Sequence, residues 1–374
     1  MKSFFPIKFA AWGLWGASPP LRGGWEGLNR TQTADLLKGL AALLMIQVHI
    51  IELFATPDIY NSSLGKIALF LGGPPVAPLF IVVFGYFIAD SKKTAIQLII
   101  RGLKIILLGL FLNIALNFNL IISVNKGILD INIWPYIFGV DILPLAGLSI
   151  IIIIAILKKA IDRSIILLIL FIVISACLGT FLLNYPTEQP HLKYVSSLFY
   201  GTSWWSYFPL FPWLSYSLAG IAFYKLQHLL DLTVLNKPII KIMLGILFLL
   251  FLIFTIQYSI AVSSDLPAYY HHGLIFFLWV ISFLSLYSFF INEIEKMLGT
   301  SIVFRYIKWL GKNITVIYVI QWIIIGNITT EIYKTVAYKP YLLFSFIAIV
   351  FVSSSICYFW IKIKRIIKSS TIKS

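Results

Sequence analysis

Residues 33–54 read TADLLKGLAALLMIQVHIIELF, and this stretch decides the class of fold. From residue 36 onward it is an apolar run of about 20 residues, which is the length a helix needs to cross the hydrocarbon core of a bilayer. Runs of similar length recur along the whole chain. They predict ten membrane-spanning helices, at 36–55, 66–89, 97–117, 138–157, 164–184, 206–225, 238–261, 273–291, 313–331 and 340–361.

The composition of the 374 residues supports a bundle dissolved in lipid. Hydrophobic residues make up 60% of the chain, charged residues 11%, and the mean hydropathy is +0.94. The apolar runs are continuous rather than alternating, which favours helices over a transmembrane β-barrel. We therefore predict an all-α membrane protein, a polytopic bundle of about ten transmembrane helices. Its parts would be an interfacial or disordered arm at 1–34, the membrane domain at 35–362 and a basic cytoplasmic tail at 363–374.

Positive charge is concentrated on one side of the predicted bundle. A cytoplasmic N-terminus assigns 24 of the 29 Lys and Arg residues to inner segments and leaves five outside, namely Lys66, Lys126, Lys193, Lys334 and Lys339. Short cytoplasmic connections normally hold the Lys and Arg, so both termini are predicted to be cytoplasmic. The net charge of +15 then indicates contact with membrane lipids, and no nucleic-acid partner is predicted. The expected location is the bacterial cytoplasmic (inner) membrane.

Three ionisable residues of the first helix point to chemistry inside the membrane. Asp35 can pair with Lys38 one turn away, and His49 follows Lys38 by eleven residues, on the same face and roughly 16 Å further along. A neutral imidazole in a cavity can accept a proton at neutral pH, so His49 is a candidate general base. The alternatives are a structural imidazole and an ordinary helix start with Thr33 as N-cap.

The second helix contains GGPPVAPLF at 72–80, where glycines and prolines interrupt the helical hydrogen bonds near mid-depth. Lipid tolerates such an interruption only where protein or a water-lined cavity satisfies the freed backbone groups. The sequence therefore predicts a broken helix beside a cavity, and a simple kink is the alternative.

Three further charged residues are candidates for substrate binding. Arg101 and Lys104 lie one turn apart at the cytoplasmic start of the third helix and could bind phosphates, although the positive-inside pattern alone also accounts for them. Asp141 begins the fourth helix on the outer side. Its carboxylate could orient His49 or position an acceptor, or it could be a helix cap.

Aromatic residues gather before and at the start of the sixth helix. Trp204 and Trp213 could form a platform for a sugar ring, or belong to an aromatic belt at the membrane surface. His271 and His272 lack enough neighbouring ligands, and Cys177 and Cys357 lie in apolar runs, so no metal site is predicted.

These motifs together resemble the transmembrane acyltransferase superfamily. Its members carry an Asp, then Arg-Gly, then a His eleven residues after the Arg, and the corresponding positions here are Asp35, Lys38 with Gly39, and His49. The resemblance is closest to the heparan-alpha-glucosaminide N-acetyltransferase catalytic-domain family and covers residues 30–330. It is carried by GGPPVAPLF, RGLK at 101–104, FPLFPWLSYSLAG at 208–220 and LGKNITVIYVIQW at 310–322.

Two positions depart from the family pattern. Lys38 stands where Arg is usual, which keeps the charge but loses the bidentate fork. Gln321 stands where related proteins often have His, which leaves His49 as the single imidazole expected at the site.

The resemblance implies an acyltransferase that moves an acyl group, commonly acetyl, from cytoplasmic acyl-CoA to a hydroxyl or amine of a glycan or lipid-linked sugar. Acyl-CoA, and acetyl-CoA in particular, would be a co-substrate, with no cofactor bound permanently. Lys38, held by Asp35, would bind the CoA phosphates together with Arg101 and Lys104. The spacing from Lys38 to His49 is comparable to an extended pantetheine arm.

Two other functions fit the same sequence. A permease or flippase for a sugar-linked or lipid-linked substrate would also have a broken helix and buried charges. A non-catalytic membrane scaffold would explain the changes at Lys38 and Gln321. The oligomeric state is left open.

Overall fold

The structure is a computed structural model that describes residues 25–187, 189–201, 203–230, 234–235 and 237–372. Within these residues the chain is helical, without a β-strand and with two isolated bridges, Ala55 to Val336 and Val140 to Ser206. The first 24 residues of the predicted arm lie outside the described residues. Residues 25–34 form the start of the first helix, and the segment predicted as a tail continues the last helix to Ile372.

The first half of the chain forms ten helical segments and a short π-helix. They are α1 (Trp25–Phe54), α2 (Pro57–Asn61), α3 (Ser63–Gly72), α4 (Ala77–Ala89), α5 (Ala95–Leu116), α6 (Phe118–Asn125), α7 (Trp134–Ile137), α8 (Ile142–Ile152), the π-helix Ile153–Leu157, α9 (Lys158–Arg163) and α10 (Ile165–Leu182).

The second half forms eight more. They are α11 (Pro190–Phe199), α12 (Leu210–Leu229), α13 (Pro238–Ser264), α14 (Leu266–Tyr270), α15 (Leu274–Leu298), α16 (Ile302–Lys312), α17 (Ile314–Ile332) and α18 (Lys339–Ile372).

The predicted polytopic bundle is confirmed. Among the described residues, nine helical stretches are long and apolar enough to cross a membrane, and each coincides with a predicted span. The remaining predicted span, 206–225, falls on α12, which has 20 residues but is less apolar. Its polar side chains Ser215, Tyr216 and Ser217 are buried against other helices, so α12 lies inside the bundle and does not need a wholly apolar surface.

The predicted break in the second span is confirmed as well. Helix α3 ends at Gly72, four turn residues follow, and α4 begins at Ala77. Most of α4 is buried, and it packs against α12 through glycines on both helices. A Cβ atom added at Gly85 would lie 1.9 Å from the carbonyl oxygen of Ser217, and one added at Gly220 would lie 2.0 Å from that of Val82. The two backbones are therefore in direct contact at the centre of the bundle.

The connections that the charge pattern assigns to the outer side lie together at one end of the bundle. Tyr60, Tyr136, Trp204, Tyr270 and Tyr333 come from five such connections, and all five line one cavity. This grouping agrees with alternate crossing of the membrane. Which compartment that end faces remains a prediction.

Candidate functional site

A cavity of about 570 Å³ occupies this end of the bundle and reaches the middle of α1. Helix α1 contributes His49 and Glu52, and the broken second span contributes Gly72, Gly73 and Ala77. The remaining polar and aromatic lining comes from the connections and from α5, α8, α13, α14 and α17. It includes Tyr60, Asn113, Asn117, Tyr136, Asp141, Trp204, Tyr207, Ser263, Tyr269, Tyr270, Tyr318, Trp322, Thr329, Thr330, Tyr333 and Lys334.

His49 is half-buried in the wall of this cavity and is the single histidine among the described residues that line it. Its Nδ1 atom lies 3.4 Å from Oε1 of Gln321, and its ring lies against Trp322 with 3.9 Å between the ring centroids. An amide oxygen only accepts hydrogen bonds, so with Gln321 in this orientation the proton of the neutral ring is on Nδ1. The lone pair is then on Nε2, which can accept a proton from a bound molecule.

Glu52 is a site residue that the sequence analysis missed. It follows His49 by three residues on α1, which places both side chains on one face, and it lines the same cavity. The sequence did contain a signal, because Glu52 is an ionisable residue at the end of an apolar run.

Asp141 lines the cavity but does not orient His49. Its Oδ1 atom accepts a hydrogen bond from the backbone N–H of Ile142 at 2.7 Å, which makes it the N-cap of α8, and its Oδ2 atom accepts one from the hydroxyl of Tyr318. Within the described part of the chain, no hydrogen bond joins Asp141 to His49. The predicted pairing with His49 is therefore replaced by Gln321, which comes from α17.

Lys38 and Asp35 form the predicted ion pair, with 2.8 Å between Nζ and Oδ1. The side chain of Lys38 is only 6% exposed, and its ammonium lies 6.0 Å from the ring centroid of Phe87. Neither Lys38 nor Asp35 is among the described residues that line the cavity. His49 and Lys38 thus share a face of α1 but not a cavity, because packing and the ion pair bury Lys38.

Arg101 and Lys104 lie one turn apart near the start of α5, and the cavity does not include either residue in the described structure. Arg101 is half-buried, and its Nε atom has no hydrogen-bond partner among the described residues. Lys104 is exposed. The structure therefore separates these cations from His49 and Asp141.

The two tryptophans proposed as a platform occupy different environments. Trp204 is exposed and lines the cavity. Trp213 is fully buried, and its indole N–H donates to the carbonyl oxygen of Tyr270 at 2.8 Å. Trp213 thus packs behind the residues that line the cavity, whereas the ring of Trp204 is part of the lining.

Lys334 lines the cavity and lies in the connection between α17 and α18. This connection is hydrogen-bonded to the end of α1. The backbone N–H of Lys334 donates to the carbonyl oxygen of Leu53 at 2.8 Å, and its φ of 55° lies in the left-handed region. The ammonium lies 5.1 Å from the ring centroid of Tyr60 and 5.4 Å from that of Tyr333. Local sequence did not indicate this arrangement because it joins segments about 280 residues apart.

His271 and His272 lie in the connection between α14 and α15, at the same end of the bundle as the cavity. His272 is buried, and its Nε2 atom lies 2.8 Å from the hydroxyl of Tyr216. Burial lowers the pKa of His272 to about 4, which keeps the ring neutral. Among the described residues no cluster of three or more His, Cys, Asp or Glu could hold a metal ion.

A family model of the catalytic region of heparan-alpha-glucosaminide N-acetyltransferase matches residues 30–237, which is more than half of the chain. The match spans α1 to α12 and so includes His49, Glu52, the broken helix and Asp141. No curated protein and no solved structure matches the chain.

Proposed function

Because the chain belongs to the heparan-alpha-glucosaminide N-acetyltransferase catalytic family, we propose that it is a membrane acetyltransferase that modifies glycan-like acceptors. The observation that carries this proposal is the position of His49. Its ring lies in the wall of a cavity wide enough for a sugar, with Nδ1 held by Gln321 and Nε2 left to accept a proton.

In the proposed reaction, His49 acts as the general base. Nε2 takes the proton of the acceptor hydroxyl or amine while the acceptor oxygen or nitrogen forms a bond to the acyl carbon of a thioester. The electron pair of the carbonyl moves to oxygen, and its return breaks the carbon–sulfur bond. The CoA thiolate that leaves takes the proton from the imidazolium, so the products are CoA and an acetyl ester or amide.

We propose acetyl-CoA as the donor, bound from the end of α1 that carries Lys38. This ammonium lies roughly 16 Å from His49 along the helix, which suits an extended pantetheine arm. Arg101 and Lys104 supply further donors for the phosphates, and Nε of Arg101 has no partner among the described residues. Since Lys38 is buried against Asp35 and does not line the cavity, donor binding requires the packing between Lys38 and the cavity to open.

The acceptor is proposed to bind from the opposite end. The exposed ring of Trp204 offers a flat apolar surface on which a sugar ring can stack. The carboxylates of Glu52 and Asp141 are acceptors for sugar hydroxyl groups. A pyranose on Trp204 would thereby present one hydroxyl or amine to His49.

The test replaces His49 and follows acetyl groups on surface glycans. Cells that lack the gene would receive wild type, His49→Ala or the control His228→Ala, whose exposed ring lies at the far end of α12. Mass spectrometry should detect the acetyl increment with wild type and His228→Ala, and none with His49→Ala at equal expression. Full acetylation by His49→Ala would refute the proposal.

A second measurement separates the enzyme from a permease or flippase. Purified protein in liposomes would receive acetyl-CoA and glycans from the gene-deleted cells, and release of the CoA thiol would be followed. An acetyltransferase consumes the thioester in proportion to acetylated glycan. Movement of glycan across the liposome membrane without thiol release would instead identify a transporter.

A further inference from the structure

The start of α4 leaves backbone N–H groups without partners at the wall of the cavity. The residue before the helix, Val76, has no side chain that could cap it, and Pro78 has no N–H group. The N–H groups of Ala77, which lines the cavity, and of Leu79 behind it have no backbone acceptor among the described residues. Because α4 has 13 residues, its aligned peptide dipoles add a partial positive charge at this end.

Two buried hydroxyls lie beside the same break. Ser263 at the end of α13 is 2% exposed, and Tyr269 in α14 is 5% exposed. Both residues line the cavity, and within the described part of the chain neither hydroxyl has a hydrogen-bond partner. A Cβ atom added at Gly73 would lie 3.4 Å from Oγ of Ser263 and 3.3 Å from Cε2 of Tyr269. Buried hydroxyls without partners are costly, and at a cavity wall a bound molecule can supply the missing partner.

The break also lies at the level of His49 on α1. A Cβ atom added at Gly72 would lie 2.2 Å from Cβ of Val48, the residue before His49. Gly72, Val48 and His49 all line the cavity. The start of α4, the two hydroxyls and the imidazole of His49 therefore border the same cavity. The donors and the base come from different helices.

We propose that the N-terminus of α4, with the hydroxyls of Ser263 and Tyr269, binds the negatively charged oxygen that forms when an acceptor attacks the thioester. This inference rests on the proposed acetyl transfer. It names the groups that stabilise the charge on the former carbonyl oxygen during that reaction. The carbonyl electron pair moves onto this oxygen while His49 holds the proton, and the donors stabilise that charge until the carbon–sulfur bond breaks. Donors fixed in a water-excluded site need no reorganisation at that moment.

The inference predicts a loss in kcat without a loss of acetyl-CoA binding. Transfer would be measured in liposomes with acetyl-CoA as donor and glycans from gene-deleted cells as acceptor, for Ser263→Ala, Tyr269→Phe and the double variant. Removal of one such donor lowers kcat by roughly 100-fold, and KM for acetyl-CoA should stay within about twofold. The hydroxyl atom of each residue is removed without a change of backbone.

Two matched controls remove hydroxyls outside the cavity. Ser264→Ala changes the half-buried neighbour of Ser263, whose hydroxyl donates to the carbonyl oxygen of Ala261, and Tyr258→Phe changes an exposed tyrosine of α13. Both should keep wild-type kcat. A double variant with unchanged kcat, or one that loses acetyl-CoA binding to the same degree as kcat, would overturn the inference. Absence of transfer by the wild type would instead overturn the proposed function on which it rests.

Discussion

The carboxylate of Glu52 lies one helical turn from the imidazole of His49, in the same cavity. Side chains at this spacing are about 6 Å apart, and an attraction of about 3 kcal/mol acts between unit charges at an effective dielectric constant near 20. A negative charge there stabilises the imidazolium that forms when His49 takes a proton. We therefore propose that Glu52 supplies this charge in the transfer, whereas Asp141 is bonded to Tyr318.

Replacing Glu52 by Gln should lower kcat of acetyl transfer by about 10- to 100-fold, since the charge is lost while the shape is kept. The matched control is Glu331→Gln, which removes an exposed carboxylate at the end of α17, outside the cavity. Transfer kinetics in liposomes, with folding checked by size-exclusion chromatography, would measure both. Equal rates for Glu52→Gln and wild type would show that the charge has no part in the reaction.

The contact between α4 and α12 shows how a helix pair determines the position of the site. Gly85 and Gly220 allow the two backbones to touch, which fixes α4 and therefore its N-terminus at the cavity. Glycine is unfavourable inside a helix, so its presence at both contact points indicates that close approach is required.

Gly220→Ala should lower the stability of the bundle. The added Cβ atom would lie 2.0 Å from the carbonyl oxygen of Val82 and 2.7 Å from the backbone nitrogen of Tyr86, so the helices must separate. Overpacking of this kind costs about 1–3 kcal/mol. Thermal unfolding in detergent would measure it, with Gly245→Ala as the control because nothing lies within 4 Å of a Cβ there. Similar melting temperatures for the two variants would contradict the packing argument.

The whole molecule is predicted to place both termini in the cytoplasm. Single cysteines introduced as Lys126→Cys and Lys92→Cys, after removal of Cys177 and Cys357, would report the two sides. Both lysines are exposed and lie in connections of opposite predicted side. A membrane-impermeant maleimide should label Lys126→Cys in intact cells and Lys92→Cys only after permeabilisation. The reverse labelling pattern would show that the topology is opposite to the predicted one, with the Lys38 end of α1 outside the cell.

Much of the architecture could be predicted because, in lipid, the structure of each segment is determined by its own sequence. Each backbone in hydrocarbon must satisfy its hydrogen bonds within its own segment, so apolar runs such as 238–261 directly predict helices. The break at 72–80 was predictable for the same reason. Helix α12, predicted as the span 206–225, is less apolar than the other spans because protein, rather than lipid, surrounds Ser215 and Ser217.

The partners within the site could not be predicted from local sequence. Tyr318 bonds to Asp141 across 177 residues, and Gln321 reaches His49 across 272. Such pairs depend on which helices become neighbours, and periodicity within a single helix carries no information about that. His49 was predictable because the cost of a polar group in an apolar run is local.

The assembly of the cavity mouth from five separate connections has an evolutionary consequence. Connections tolerate substitution and insertion far better than packed helices do. In the proposed transfer, changes around Trp204, Tyr270 or Lys334 would therefore alter which acceptor binds, while α1 and α4 would keep the proposed reaction chemistry. New acceptor specificities can arise on this scaffold one loop at a time.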